Sequence, residues 1–169
     1  MTPTGKSGHD FDPSDVLRKP LVAHLATVAG DGAPRHSPVW FLWEDGEIWL
    51  IGTTTDSFPR RLRADPRCAI GVVDFDLRDG TLRHVGLRGV AEIVPLDPGR
   101  LYRLLSRYLG PDAERWDAEF RADVIDHLDL MIRFVPQTVV ARDQSIFGRP
   151  EPAPERVHEE GAASERVST

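Results

Sequence analysis

Thr53-Thr54-Thr55-Asp56-Ser57-Phe58-Pro59-Arg60-Arg61 gathers several hydroxyls, the start of a short helix and two guanidinium groups into one segment. Those are the parts of an anion site. Backbone N–H groups in the first turn of a helix have no partner within the helix and carry partial positive charge. A charge-assisted hydrogen bond to an anion is worth roughly 1.5–3 kcal/mol. The same residues also suit a plain Ser/Thr cap with a solvated basic helix face, and composition by itself favours that blander reading.

Other chemistries find less support. Cys68 is the single cysteine, so neither an intrachain disulfide nor a cysteine zinc cluster can form. It sits in an apolar run, where a cysteine packs rather than attacks. His24, His36 and His84 lack the local spacing that marks a metal-binding pair, and no metal is expected. Asp74, Asp76 and Asp79 border a turn and do not read as a hydrolytic pair of carboxylates. Gly5-Lys6-Ser7 has the end of a nucleotide phosphate loop without its upstream glycine or its preceding strand.

The 169 residues suit one domain, large enough to bury a core without disulfides or a structural metal. A formal charge of −6 argues against a nucleic-acid partner, because such surfaces concentrate Lys and Arg to neutralise phosphates. Only Lys6 and Lys19 among the 21 basic residues are lysines, a bias that a GC-rich genome explains more simply than the planar grip of Arg on phosphate. No uninterrupted apolar stretch reaches the ~18 residues of a membrane helix, and the N-terminus through Lys19 has no signal-peptide core. With one cysteine and no such segments, the expectation is a protein of the reducing cytoplasm, with no membrane partner.

The elements that must position the segment follow from turn signals and periodicity. Residues 1–12 and 148–169 are too polar for a core and read as a flexible N-terminal and a disordered C-terminal tail, leaving 13–147 as the folded domain. Asp12 and Pro13 start a short helix that stops before Pro20. Leu21 to Ala29 and Pro34 to Trp43 flank Gly30-Asp31-Gly32 as a hairpin, and Glu44-Asp45-Gly46 leads to a third strand over Glu47 to Gly52, making a meander. Asp56 or Ser57 caps a short helix over Pro59 to Ala64, closed by Asp65-Pro66. Arg67 to Phe75 is apolar on both faces and is expected to be buried on both sides. It turns at Arg78-Asp79-Gly80 into Thr81 to Val94, where Gly86 and Gly89 mark a bulge or bend at a barrel corner. Asp97 caps a helix with Leu101, Leu104, Leu105 and Tyr108 at helical spacing and Gly110 at its end. A second helix is expected over Asp112 to Leu128, then two strands, Leu130 to Val135 and Gln137 to Ala141, broken at Pro136. The fold class is mainly β, a barrel of six to seven antiparallel strands, Greek-key-like, with added helices.

The order of these segments resembles the pyridoxamine 5'-phosphate oxidase-like family of FMN-binding split barrels. Leu25-Ala26-Thr27-Val28, Asp31-Gly32, Ser37-Pro38-Val39-Trp40-Phe41 and Arg60-Arg61-Leu62 to Asp65-Pro66-Arg67 carry the resemblance, which spans roughly Leu21 to Val94. Ile132-Arg133-Phe134-Val135-Pro136 to Ala141-Arg142-Asp143 is similar to the family's last strands. The resemblance implies a homodimer with FMN, or alternatively the deazaflavin coenzyme F420, at the interface. It implies that Thr53, Thr54, Ser57, Arg60 and Arg61 hold the phosphate, and that Ser37, Pro38, Val39 and Trp40 lie beside the ring. Where many members carry a Lys after the serine, this chain has Phe58-Pro59, and proline offers no N–H, so phosphate binding would rest on Arg60 and Arg61.

The implied activity is that of an oxidoreductase moving hydride between the cofactor and a small organic substrate. The ring does that chemistry, and no catalytic side chain is assigned. His36 and His84 fall on strands that could flank the same cleft and relay protons, although such histidines more often bond locally. Trp40 could stack on the ring, whereas Trp43 and Trp49 read as core or interface aromatics. The alternative is a split barrel that binds flavin or haem for storage or sensing, without turnover.

Overall fold

Tight reversals and strand-period burial build one antiparallel sheet. The computed structural model describes residues 9–145; the expected tails at 1–8 and 148–169 lie outside the described residues. In chain order the elements are α1 (Ser14–Leu17), β1 (Ala23–Val28), β2 (Pro34–Val39), β3 (Phe41–Glu44), β4 (Glu47–Gly52), α2 (Ser57–Ala64), β5 (Arg67–Asp76), β6 (Thr81–Pro95), α3 (Pro98–Leu109), α4 (Ala118–Asp123) and β7 (Leu130–Asp143). Asp45 and Gly46 both take positive φ, 55° and 78°, the requirement of the two-residue turn that matches strand twist between β3 and β4. His9, placed by the sequence reading in a polar tail, forms a parallel bridge to Ala141 of β7. Among the described residues no helix is long and apolar enough to cross a membrane.

The strand order is β2-β1-β5-β6-β7-β4-β3. It corrects the expected meander. The run from Pro34 to Trp43 is two strands: β2 pairs with β1 at one edge of the sheet, and β3 pairs with β4 at the other. Trp40 alone separates them, so the sheet must curl until its edges approach, as a split barrel does. Pro34 and Pro38 fit β2 because an edge strand tolerates missing N–H donors.

Two further expectations are corrected at the C-terminal end. The final strand is continuous through Pro136: the register with β6 shifts between Arg88 and Gly89, and Gly89 pairs with Pro136 while Arg88 pairs with Thr138. Gln137 is thus the extra residue of a bulge, where a proline costs no ladder bond. Gly89 is required there, since a Cβ would lie 2.1 Å from the Val135 carbonyl oxygen. Gly86 instead stays in regular register, opposite Gly71 and Val140. The helix expected over 112–128 is broken into a 3-10 turn at Ala113–Arg115, α4, and another at Ile125–His127. Asp112 caps the first turn by accepting from Glu114 N–H, and Asp117 breaks the helix by accepting from Phe120 N–H as a new cap.

Alternation fills the barrel with Leu25, Ile70, Val72, Val85, Leu87, Ile132 and Phe134, all nearly solvent-free. β5 is buried on that side only. Its other face leaves Val73 42% and Phe75 55% exposed, contrary to the expectation of burial on both sides. A second cluster, Trp49, Leu104, Leu105 and Met131, seats α3 against β4 and β7. Asp97 caps α3 by accepting from Arg100 N–H, and Gly110 ends it at φ 91°.

Two polar clamps fix α3 on the sheet. Glu44 at the end of β3 accepts from Arg100 Nε and Arg103 Nε, each at 2.8 Å, while the Arg100 guanidinium lies 3.6 Å from the Trp49 ring centroid. The Tyr108 hydroxyl accepts from Phe41 N–H at 3.0 Å and donates toward the carbonyls of Leu21 at 2.9 Å and Phe41 at 3.1 Å. Its ring stacks on Trp40 at 4.6 Å between centroids, 4° from parallel. Tyr108→Phe removes the hydroxyl and keeps the stack. It should cost about 1–3 kcal/mol in urea unfolding, the usual penalty of orphaned backbone groups, with tryptophan emission unchanged.

Hydrogen bonds from Arg103, then Arg100, hold the Glu44 carboxyl below its usual 4.5. A depressed acid contributes stability above its unfolded pKa and loses it as pH falls through the folded value. Glu44→Gln should therefore lower the melting temperature at pH 7. Its deficit relative to wild type should shrink as pH drops below 4.5, read by melts across that range.

Candidate functional site

The elements around Trp40 enclose an apolar slot of about 370 Å³. One wall is Pro38, Val39 and Trp40, where the two edge strands part. The floor is Ile51 and Gly52 at the end of β4, and the cover is Leu105 of α3 with Phe120, Val124 and Leu128 of the broken helical segment. Asp56 and Phe58, at the start of α2, complete it. Gly52 lets those two approach, since a Cβ would lie 3.2 Å from Phe58 Cζ and 3.4 Å from Asp56 Oδ2. Asp56 is the slot's single ionisable group, and no cation lines it.

Beside the slot lies the Thr53–Arg61 corner. Thr53 N–H donates to Asp56 Oδ2 at 2.7 Å, and the Thr53 and Thr55 hydroxyls meet at 2.8 Å. Thr54 gives both its N–H and its hydroxyl to Asp129, at 2.9 and 2.8 Å. Ser57 opens α2 and is exposed, as is Arg60. Arg61 turns inward instead: its Nε donates to Thr27 Oγ1 at 2.7 Å, satisfying a hydroxyl that is 2% exposed. The corner thus presents one exposed guanidinium, one partly buried guanidinium and a helix start, with two carboxylates already bound to its threonine donors.

Of the residues singled out from sequence, Val39 and Trp40 line the slot, and Thr53, Thr54, Ser57, Arg60 and Arg61 form the adjoining corner. Ser37 lies on β2 opposite Leu25, half-buried and outside the slot lining. Neither Arg60 nor Arg61 lines the slot, so a ligand spanning ring pocket and cations would have to pass Asp56. The residues fit a planar apolar group with a phosphate beyond it, provided the phosphate displaces or bypasses the carboxylates.

The histidines lie elsewhere. His24 Nδ1 and His36 Nε2 are 2.6 Å apart with stacked rings on the outward face of β1 and β2. His24 and His84 border a second cavity of about 320 Å³ floored by Gly71 and Gly86. They therefore edge a trough on the outward sheet face and not the Trp40 slot. Cys68 is buried, and desolvation pushes its thiol up to about 12, which leaves it protonated and inert at neutral pH. Trp43 packs against the barrel core and Trp49 belongs to the α3 cluster.

Sequence reasoning missed Asp129, Phe120, Val124 and Leu128, which reach the site from 60 or more residues away. No local motif marks them. Asp56 was visible only as a cap, and Tyr108 only as one member of an apolar helix stripe.

Comparison with known proteins places this geometry. The model of the pyridoxamine 5'-phosphate oxidase family matches residues 14–139. The solved structure of the conserved hypothetical protein Rv2991 from Mycobacterium tuberculosis is 30% identical, with a TM-score of 0.66 over 88% of this chain and 96% of that one. An F420 reductase is 32% identical, with a TM-score of 0.59 over 76% of this chain and 96% of that one. The haem storage protein HutZ from Vibrio cholerae shares the fold at 16% identity, with a TM-score of 0.53 over 73% of this chain and 86% of that one. A search of curated proteins found no match. With the family model covering most of the barrel and its helices, the chain belongs to the pyridoxamine 5'-phosphate oxidase family.

Proposed function

We propose that this protein is an oxidoreductase that seats the ring of FMN, or of the deazaflavin F420, in the Trp40 slot, with the cofactor phosphate at the Thr53–Arg61 corner. The observation that carries the reading is the continuity of the two: Asp56 and Phe58 belong both to the slot lining and to the segment that holds the corner. The F420 reductase relative supports a cofactor of flavin type. When bound, the flavin supplies hydride transfer to or from a small organic substrate.

The chain's own residues bind, orient and exclude water. Trp40, held flat against Tyr108, is a rigid apolar wall. Phe58 and Phe120 add apolar surface to the slot lining, and Asp56 is fixed by Thr53 N–H. Ser57, Arg60 and Arg61 supply the donors nearest the corner, and Ser37 and Val39 complete the β2 side.

The protein as purified should be yellow with FMN, bleach with a nicotinamide donor and recolour with a substrate; mass spectrometry of the released small molecule identifies the cofactor. A spectrum unmoved by any donor and acceptor pair would favour the alternative, a non-catalytic flavin or haem binder, for which the shared fold of the haem storage protein HutZ speaks. Arg60→Ala should weaken FMN by about 1.5–3 kcal/mol, measured by fluorescence titration, and leave riboflavin unaffected. Arg61→Ala should act alike and also lower stability, because Thr27 loses its partner.

We assign the outward face of the sheet, with Val73 and Phe75 of β5 exposed and Leu77 exposed in the turn beyond them, to a second copy of the chain, giving a cytoplasmic homodimer. Val73→Glu should convert a dimer to monomer in sedimentation equilibrium. A wild-type monomer sinks that assignment.

A further inference from the structure

Resting on that reading of the Thr53–Arg61 corner, we propose that Asp129 is a built-in competitor for the cofactor phosphate, so that it sets the affinity and selectivity of the corner for phosphate-bearing ligands. Thr54 presents two donors side by side, and one carboxylate takes both, at 2.9 and 2.8 Å. That is the contact a phosphate oxygen pair would make. Asp129 comes from the start of β7, 75 positions along the chain, and its own N–H donates to the Gly52 carbonyl at 3.3 Å. The strand join therefore delivers the carboxylate to the end of β4, immediately after Leu128, which lines the slot.

The surrounding charges make the contact exchangeable. Asp129 and Thr54 are both exposed, and exposed hydrogen-bonded charges contribute little net stability. Among the described residues Arg60 has no hydrogen-bond or ion-pair partner, so the corner keeps a cation that no internal carboxylate has neutralised. Asp56 holds Thr53 N–H in the same way but is half-buried in the slot lining, which makes it the fixed acid and Asp129 the displaceable one. An incoming phosphate is drawn by Arg60 and Arg61, repelled by Asp129, and gains the Thr54 donors only when that carboxylate moves off. A ligand without phosphate meets neither effect.

The test compares wild type, Asp129→Ala and Asp129→Asn with three probes: inorganic phosphate by thermal shift, and FMN and riboflavin by fluorescence titration. Asp129→Ala should bind inorganic phosphate and FMN about ten-fold tighter, the size of roughly one charge-assisted hydrogen bond, with riboflavin unchanged. Asp129→Asn keeps an acceptor for Thr54 and removes the charge, so a smaller gain in the same direction is expected even where alanine impairs folding. Thr54→Val in the Asp129→Ala background should lose most of the gain. Phosphate and FMN affinities no tighter in either Asp129 variant, no response to phosphate in any variant, or an equal gain for riboflavin would each overturn the proposal. A gain for inorganic phosphate with no flavin bound by any variant would uphold the competitor and remove the flavin reading instead.

Discussion

Everything near the slot depends on how the backbone at Phe41 is satisfied. The sheet parts there: the chain leaves one edge at Val39 and joins the opposite edge at Phe41. Polar backbone groups at such a gap lose their ladder partners, and partly buried ones are costly to leave unpaired. The Tyr108 hydroxyl takes that place, meeting the N–H and C=O of Phe41 and the C=O of Leu21 at once. Its burial pushes the phenol above its usual value, so at neutral pH it stays a donor. The same side chain lays its ring on Trp40, and one residue thereby closes the split and makes the rigid wall of the slot.

That clamp needs α3 in place, and α3 is held from both ends. Arg100 and Arg103 converge on Glu44 near its start, and near its end the Arg107 guanidinium donates to the carbonyls of Leu17 and Lys19. Leu104 and Leu105 bury between these polar fixings. The helix thus ties α1, β3 and the split together, and the cover formed by Phe120, Val124 and Leu128 follows it across the slot.

The site divides physically into an apolar slot and a polar corner that meet at Asp56. A planar ring suits the first because aromatic and aliphatic walls leave no polar group to desolvate except one carboxylate. The second holds guanidinium groups and a helix start, yet its threonine donors face Asp56 and Asp129. Phe58-Pro59, where the family resemblance leads one to expect a lysine, and the presence of these carboxylates act in one direction. Both leave Arg60 and Arg61 as the cations on which the proposed phosphate site would rest. The outward His24, His36 and His84 group is a separate feature, set on the sheet face assigned to a second copy.

Local chemistry determined much of this from sequence alone. Asp97 and Gly110 bounded α3, Asp45-Gly46 made its turn, Gly89 marked the bulge, and the hydroxyl and arginine run of 53–61 located the corner, because caps, turns and close approaches are decided by neighbours along the chain. The order of segments, through family resemblance, also identified the split barrel. Tertiary structure decided the rest. Whether Pro34 to Trp43 is one strand or two depends on which edges its halves pair with, and whether the outer face of β5 is buried depends on what lies over it. Asp117 broke a helix by capping its own backbone, a competition periodicity does not register. Asp129 reached Thr54, and Arg61 reached Thr27, only because the sheet brought distant residues together, and contacts between side chains far apart in sequence leave no local pattern to read.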